Sequence, residues 1–176
     1  SDSARAADLS VSGGSCCGSA VHSVRAVPRD QLGLVAAAAT CPPLHVHLAE
    51  QRSENEACQG FYGMTPTAML QAEGVLGPLT SAVHATQLTD EDISTLGRTH
   101  TTVCFCPTTE RDLADGIGPA RRLRDAGSPL ALGSDQHAVI DLFEEARALE
   151  MHERLDSLKR GRFRLDELLS AATRHE

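Results

Sequence analysis

The sequence has almost no aromatic surface to offer a ligand: it holds no tryptophan, one tyrosine and four phenylalanines. Stacking on bases or sugars is therefore excluded as its main binding device. It also lacks an excess of positive charge. Twenty-four acidic side chains stand against sixteen basic ones, a net charge of −8 that matches neither nucleic acid nor an anionic membrane surface. No apolar run approaches the roughly 18 residues of a membrane helix, and no basic-then-apolar start marks a signal peptide. The expectation is a soluble, cytoplasmic protein. The six cysteines form no CxxC pair. Cys16 and Cys17 are adjacent, Cys41 follows a run of alanines, and Cys104 and Cys106 alternate along an apparent strand, a spacing that predicts buried or idle thiols rather than disulfides. Finally, no GxGxxG or GxxxxGK[ST] follows any strand, which weakens the case for a nucleotide binder.

What is present is enough for one domain: 176 residues, 41% of them hydrophobic. Residues 1–18 are rich in Ser, Gly and Ala without a sustained period, and read as a linker, a frayed end or a truncated stump. Residues 19–176 then alternate between short apolar runs and helical patterns. Strands are expected over 19–24, 44–49, 81–85, 101–106 and 130–132. Helices are expected to Ala39, over 53–73, from the Thr89-Asp90-Glu91-Asp92 cap, to Ala126, over 139–158 and over 165–173, with a polar loop from Pro107 to Gly118. Such alternation argues for a parallel sheet of βαβ units, either doubly wound or part of a (β/α)8 barrel.

The polar residues fall at telling places. His22 lies in the first strand, His45 and His47 end the second with Glu50 three residues on, His84 ends the third, and Asp135 follows the fifth. In parallel α/β folds the carboxyl ends of the strands form the active-site face. Each residue alone has an ordinary structural explanation: a hydrogen-bonded histidine, a turn aspartate in Gly133-Ser134-Asp135, a glutamate opening a helix. Together, imidazoles and carboxylates converging on one rim are what a divalent cation such as Zn²⁺ requires.

These strings resemble a known family. His45-Val46-His47-Leu48-Ala49-Glu50-Gln51 is similar to the fifth-strand motif of the deaminase branch of the amidohydrolase superfamily. Val83-His84-Ala85-Thr86 resembles its sixth-strand histidine, and Leu132-Gly133-Ser134-Asp135 its eighth-strand aspartate. His22-Ser23-Val24-Arg25-Ala26-Val27, and Thr108-Thr109-Glu110 through Asp115-Gly116-Ile117, look like the formimidoylglutamate deiminase family. The resemblance runs from about Gly18 to the end. It implies the C-terminal half, about strands 4–8 with their helices, of a (β/α)8 metal-dependent hydrolase barrel.

The superfamily's first-strand His-x-His has no upstream place here, so the resemblance also implies a fragment, inactive and marginally stable alone, with two metal ligands rather than three or more. For the complete enzyme it implies one zinc ion and hydrolysis of N-formimino-L-glutamate to N-formyl-L-glutamate and ammonia, in a cytoplasmic homodimer that binds neither nucleic acid nor membrane. His47 would be an imidazole ligand and Asp135 a carboxylate ligand that also accepts a proton. Glu50 would shuttle the proton, and His84 would polarise the attacked group or hold the hydroxide. Arg25 would grip the substrate carboxylates, as a guanidinium does with two parallel hydrogen bonds. His22 would face the same pocket, whereas His45 is expected on the other strand face, as a supporting or structural residue. A related aminohydrolase acting on a nucleobase or another amidine would share His47, Glu50, His84 and Asp135. An inactive remnant remains an alternative, and a structural metal domain fits less well because the ligands sit on separate strands.

Overall fold

The structure is a computed structural model that describes residues 18–136 and 139–173. The expectations for residues 1–17, the Cys16-Cys17 pair among them, lie outside the described residues. Five strands, β1 (Ala20–Val21), β2 (Leu44–Leu48), β3 (Thr80–His84), β4 (Thr102–Phe105) and β5 (Leu130–Leu132), form one sheet whose spatial order is the chain order. Every neighbouring pair is parallel. That order decides between the two architectures. A doubly wound sheet reverses direction at a switch point, whereas a barrel adds each strand beside the last. Here nothing reverses, and the chain traces an arc of a (β/α)8 barrel.

Between the strands run α1 (Arg29–Ala38), α2 (Arg52–Tyr62), α3 (Pro66–Ala72), α4 (Asp90–Arg98), α5 (Pro107–Asp112) and α6 (Ala120–Ala126), and α7 (Leu142–Ser157) and α8 (Leu165–Thr173) follow β5. None of the described helices is long and apolar enough to cross a membrane. Leu44, Val46 and Leu48 of β2, Ala82 of β3 and Val103 and Phe105 of β4 face the helices, and with Leu32, Met69, Leu70, Leu96 and Leu123 build the core. The alternate strand positions face the inner side of the arc. Gly97 lets α4 touch α6, since a Cβ there would collide with the Ala126 backbone.

Several boundaries depart from the expected ones. The single helix expected over 53–73 is two. Gly63 closes α2 in the left-handed region (φ 69°), and Thr65 caps α3 by accepting the Ala68 N–H, with Pro66 at its first position. The apolar pattern continues through the break, which hid it. Pro107 stops β4 but opens a helix instead of a loop. His22 lies just past β1, which keeps only two ladder residues, although the His47 N–H still donates to His22 O at 3.0 Å. Cys58, Cys104 and Cys106 are free, as expected, but Cys41 is disulfide-bonded. Pairing depends on which Cβ atoms meet in space, which spacing along the chain does not reveal.

Buried carboxylates tie the loops to the helices. Glu145 of α7, fully buried, accepts the Thr108 N–H at 3.0 Å and its hydroxyl. Glu150 accepts the Phe163 and Arg162 N–H groups at 2.8 and 3.2 Å and the Arg154 guanidinium at 2.6 Å. Burial pushes the Glu150 carboxyl up, but these donors outweigh it and hold the group below its ordinary value. A depressed native pKa contributes stability above the ordinary carboxylate pKa and loses it as pH falls through the native one. We expect Glu150→Gln to lower stability to urea by about 1–2 kcal/mol at pH 7. The difference from the parent chain should shrink below about pH 4, past the ordinary glutamate pKa. A pH-independent difference would show that the charge is not what holds the 162–163 backbone.

Candidate active site

The polar groups gather at the carboxyl ends of β2, β3 and β5, on the inner face of the arc. The pleat explains which histidines take part. In β2, Leu44, Val46 and Leu48 are buried against the helices, while His45 is exposed and His47 half-buried on the opposite face. His45 therefore shares a face with His47, one pleat further from the rim, and the expectation that it faces the other side is corrected: residues two apart in a strand point the same way.

One donor atom each from His47, His84 and Asp135 lies within 4.8 Å of the other two. Where the sequence offers His47 and Asp135 as donors, the fold adds His84, the last residue of β3. Two imidazoles and a carboxylate at this spacing are a donor set suited to a divalent cation such as zinc. The His22 ring packs at 5.2 Å from that of His47, and the His47 ring stacks on that of His84 at 5.6 Å. His47 Nδ1 lies 2.9 Å from His22 O, which leaves Nε2 for the cluster.

Backbone strain concentrates here. Ala49, His84, Ala85 and Asp135 all adopt positive φ, between 44° and 72°. Non-glycine residues in this region cost about 1–3 kcal/mol each and persist where the surroundings force them. The forcing bonds are visible. The Gln87 N–H donates to Ala49 O at 2.9 Å, and the Thr86 hydroxyl donates to the carbonyls of Ala49 and Glu50. The strand exits carrying Glu50 and His84 are thus knitted to each other.

Glu50 sits between two cations-in-waiting. Its Oε2 accepts from Arg25 Nη2 at 3.1 Å, and its Oε1 lies 3.6 Å from His84 Nε2. Arg25 Nε also approaches Glu54 Oε2 at 3.9 Å while its side chain stays 37% exposed. Glu54, buried at the start of α2, accepts the Glu50 N–H at 3.2 Å, and burial pushes its carboxyl up despite Arg25. Sequence reasoning gave Glu54 no role.

Glu110, in the Thr108-Thr109-Glu110 string, has no role that the sequence alone assigns. It is buried, accepts the Cys106 N–H at 2.8 Å and faces His84 Nδ1 at 3.4 Å. Its signal was available: an acidic residue in the first turn after a strand that carries no other charge. Burial pulls the His84 imidazole down, but Glu110, Glu50 and Asp135 together carry it above its ordinary value. Burial likewise pushes the Glu110 carboxyl up.

The sequence pattern of the amidohydrolase family matches residues 16–175. The chain belongs to the amidohydrolase family. It is 35% identical over 155 residues to a formimidoylglutamate deiminase of Pseudomonas aeruginosa, an alignment covering 88% of this chain and 34% of that protein. It is 32% identical over 134 residues to a 5-methylthioadenosine/S-adenosylhomocysteine deaminase of Pyrococcus furiosus, covering 74% and 32%. Among solved structures, an adenosine deaminase from Xanthomonas campestris with bound zinc superposes with a TM-score of 0.82 at 29% identity, over 89% of this chain and 37% of that one. The chain therefore spans about a third of the length of the relatives it matches.

Proposed function

We propose that the protein carrying this chain hydrolyses N-formimino-L-glutamate to N-formyl-L-glutamate and ammonia. The observation that carries the reading is the position of Arg25. A half-exposed guanidinium stands 3.1 Å from Glu50, at the edge of the histidine cluster. A substrate with a planar amidine at one end and two carboxylates at the other needs a proton-handling group and a carboxylate-gripping cation this close together. A nucleobase has no use for the arginine, and the described site offers no aromatic wall against which to stack one.

In this reading His47, His84 and Asp135 would hold a divalent cation, which would supply the Lewis acidity that makes water a usable nucleophile near neutral pH. Water adds to the amidine carbon, the C–N bond to the leaving nitrogen breaks, and ammonia departs. Glu50 takes the proton from the water and delivers it to that nitrogen. Arg25 holds one of its oxygens by the 3.1 Å bond, which leaves the other facing the cluster, 3.6 Å from His84 Nε2. Asp135 is the second acceptor for a proton at the same centre. Glu110 sets the His84 ring by taking its Nδ1 side, so that Nε2 points into the cluster. His22 closes the near wall of the pocket beside His47.

Ammonia release from N-formimino-L-glutamate should exceed that from 5-methylthioadenosine by orders of magnitude in kcat/KM for the intact protein. A preference for the nucleoside would move the assignment to that branch of the family.

A further inference from the structure

Beside this site lies a pair of sulfurs that the proposed deamination does not use. Cys104 lies in β4, where the pleat puts it on the face opposite Val103 and Phe105, and Cys106 caps the start of α5 just past the strand. They converge on one spot. A Cβ added at Gly133, just past β5, would meet Cys106 Sγ at 3.3 Å and Cys104 Sγ at 3.5 Å. Because residue 133 is glycine, the space facing both sulfurs holds no side chain of its own. Cys106 is buried, whereas Cys104 is half-buried and open to the inner face, so the pair is sheltered but reachable.

Two sulfurs facing one small space offer a ligand set different in kind from the imidazole–carboxylate cluster. Thiolates select soft, polarisable cations over the hard and borderline ones that carboxylates favour. We propose that Cys104 and Cys106 together form a binding site for a soft, thiophilic divalent cation, held through two sulfur bonds. Binding replaces two thiol protons by two metal–sulfur bonds and releases both protons to solvent, so nothing is oxidised or reduced.

Cadmium ion is the probe, added to the purified 176-residue chain and read by the ultraviolet charge-transfer band that only sulfur-bound cadmium produces. The expected result is a saturable band that Cys104→Ser and Cys106→Ser each remove, or weaken by about tenfold or more in affinity, the least that losing a direct ligand should cost. His47→Asn, which damages the imidazole–carboxylate cluster, should leave the band in place. Conservative Cys104→Ala and far-ultraviolet circular dichroism of each variant separate loss of a ligand from loss of fold. A band that persists in both serine variants would assign it to another cysteine and overturn the proposal. So would a band that disappears with His47→Asn, because the cation would then belong to the histidine cluster.

Discussion

Glu50→Gln in the intact protein should lower kcat by about 10²–10⁴ while leaving metal content and substrate affinity close to the parent values. The substitution keeps the shape of the side chain. It also keeps an oxygen for Arg25, which donates to Glu50 Oε2 at 3.1 Å, but it cannot carry a proton. The competing explanation is that Glu50 merely opens α2, where a carboxylate near a helix N-terminus is worth only about 0.3–1 kcal/mol. The structure argues against that role. The group is buried, its oxygens are directed at Arg25 and His84, and Glu54 is the residue that bonds the local backbone. A variant with near-parental turnover would return Glu50 to the helix.

Arg25→Met should raise KM for N-formimino-L-glutamate sharply. Losing a charge-assisted bidentate pair costs on the order of 2–5 kcal/mol, roughly thirtyfold to several thousandfold in kcat/KM. Lysine should restore only part, because one ammonium cannot reproduce the fork. Arg25 also touches Glu50, so some loss will come through the proton carrier and not through the carboxylates. A neutral formimino compound isolates that share, since it has no carboxylate to grip. The difference between the two substrates' losses measures the grip. Equal losses would place Arg25 in support of Glu50 and Glu54, and no loss on either would remove it from the site.

Most of this arrangement was legible in the chain itself. The repeated strand-then-helix pattern announced a parallel sheet, and polar residues at successive strand ends announced a rim. The choice of barrel over doubly wound sheet was not legible from pattern alone, because both share the local units; it took the spatial order of β1 to β5 to decide it. His84 as a third donor was hidden because its pleat position, two residues from Ala82 and in register with Leu48, puts it on the helix side; its positive φ of 72° breaks that alternation at the strand end, and its donor atom lies within 4.8 Å of those of His47 and Asp135. Glu54 and Glu110 carried no role in the sequence, since burial is set by what packs over a residue and not by its neighbours along the chain. The split between α2 and α3 was signalled by Gly63, Thr65 and Pro66, whose capping chemistry should have outweighed the apolar period running through them.

The central claim is that His47, His84 and Asp135 hold the cation on which a C–N hydrolase depends. It is tested most directly by measuring ammonia release from N-formimino-L-glutamate by the intact protein before chelation, after it, and after zinc is returned. The account predicts loss of turnover on chelation and recovery in proportion to zinc bound, at one ion per subunit. In Asp135→Asn and His84→Asn it predicts loss of both zinc and turnover. Turnover that survives complete removal of metal, or a parental zinc content in those variants, would contradict it.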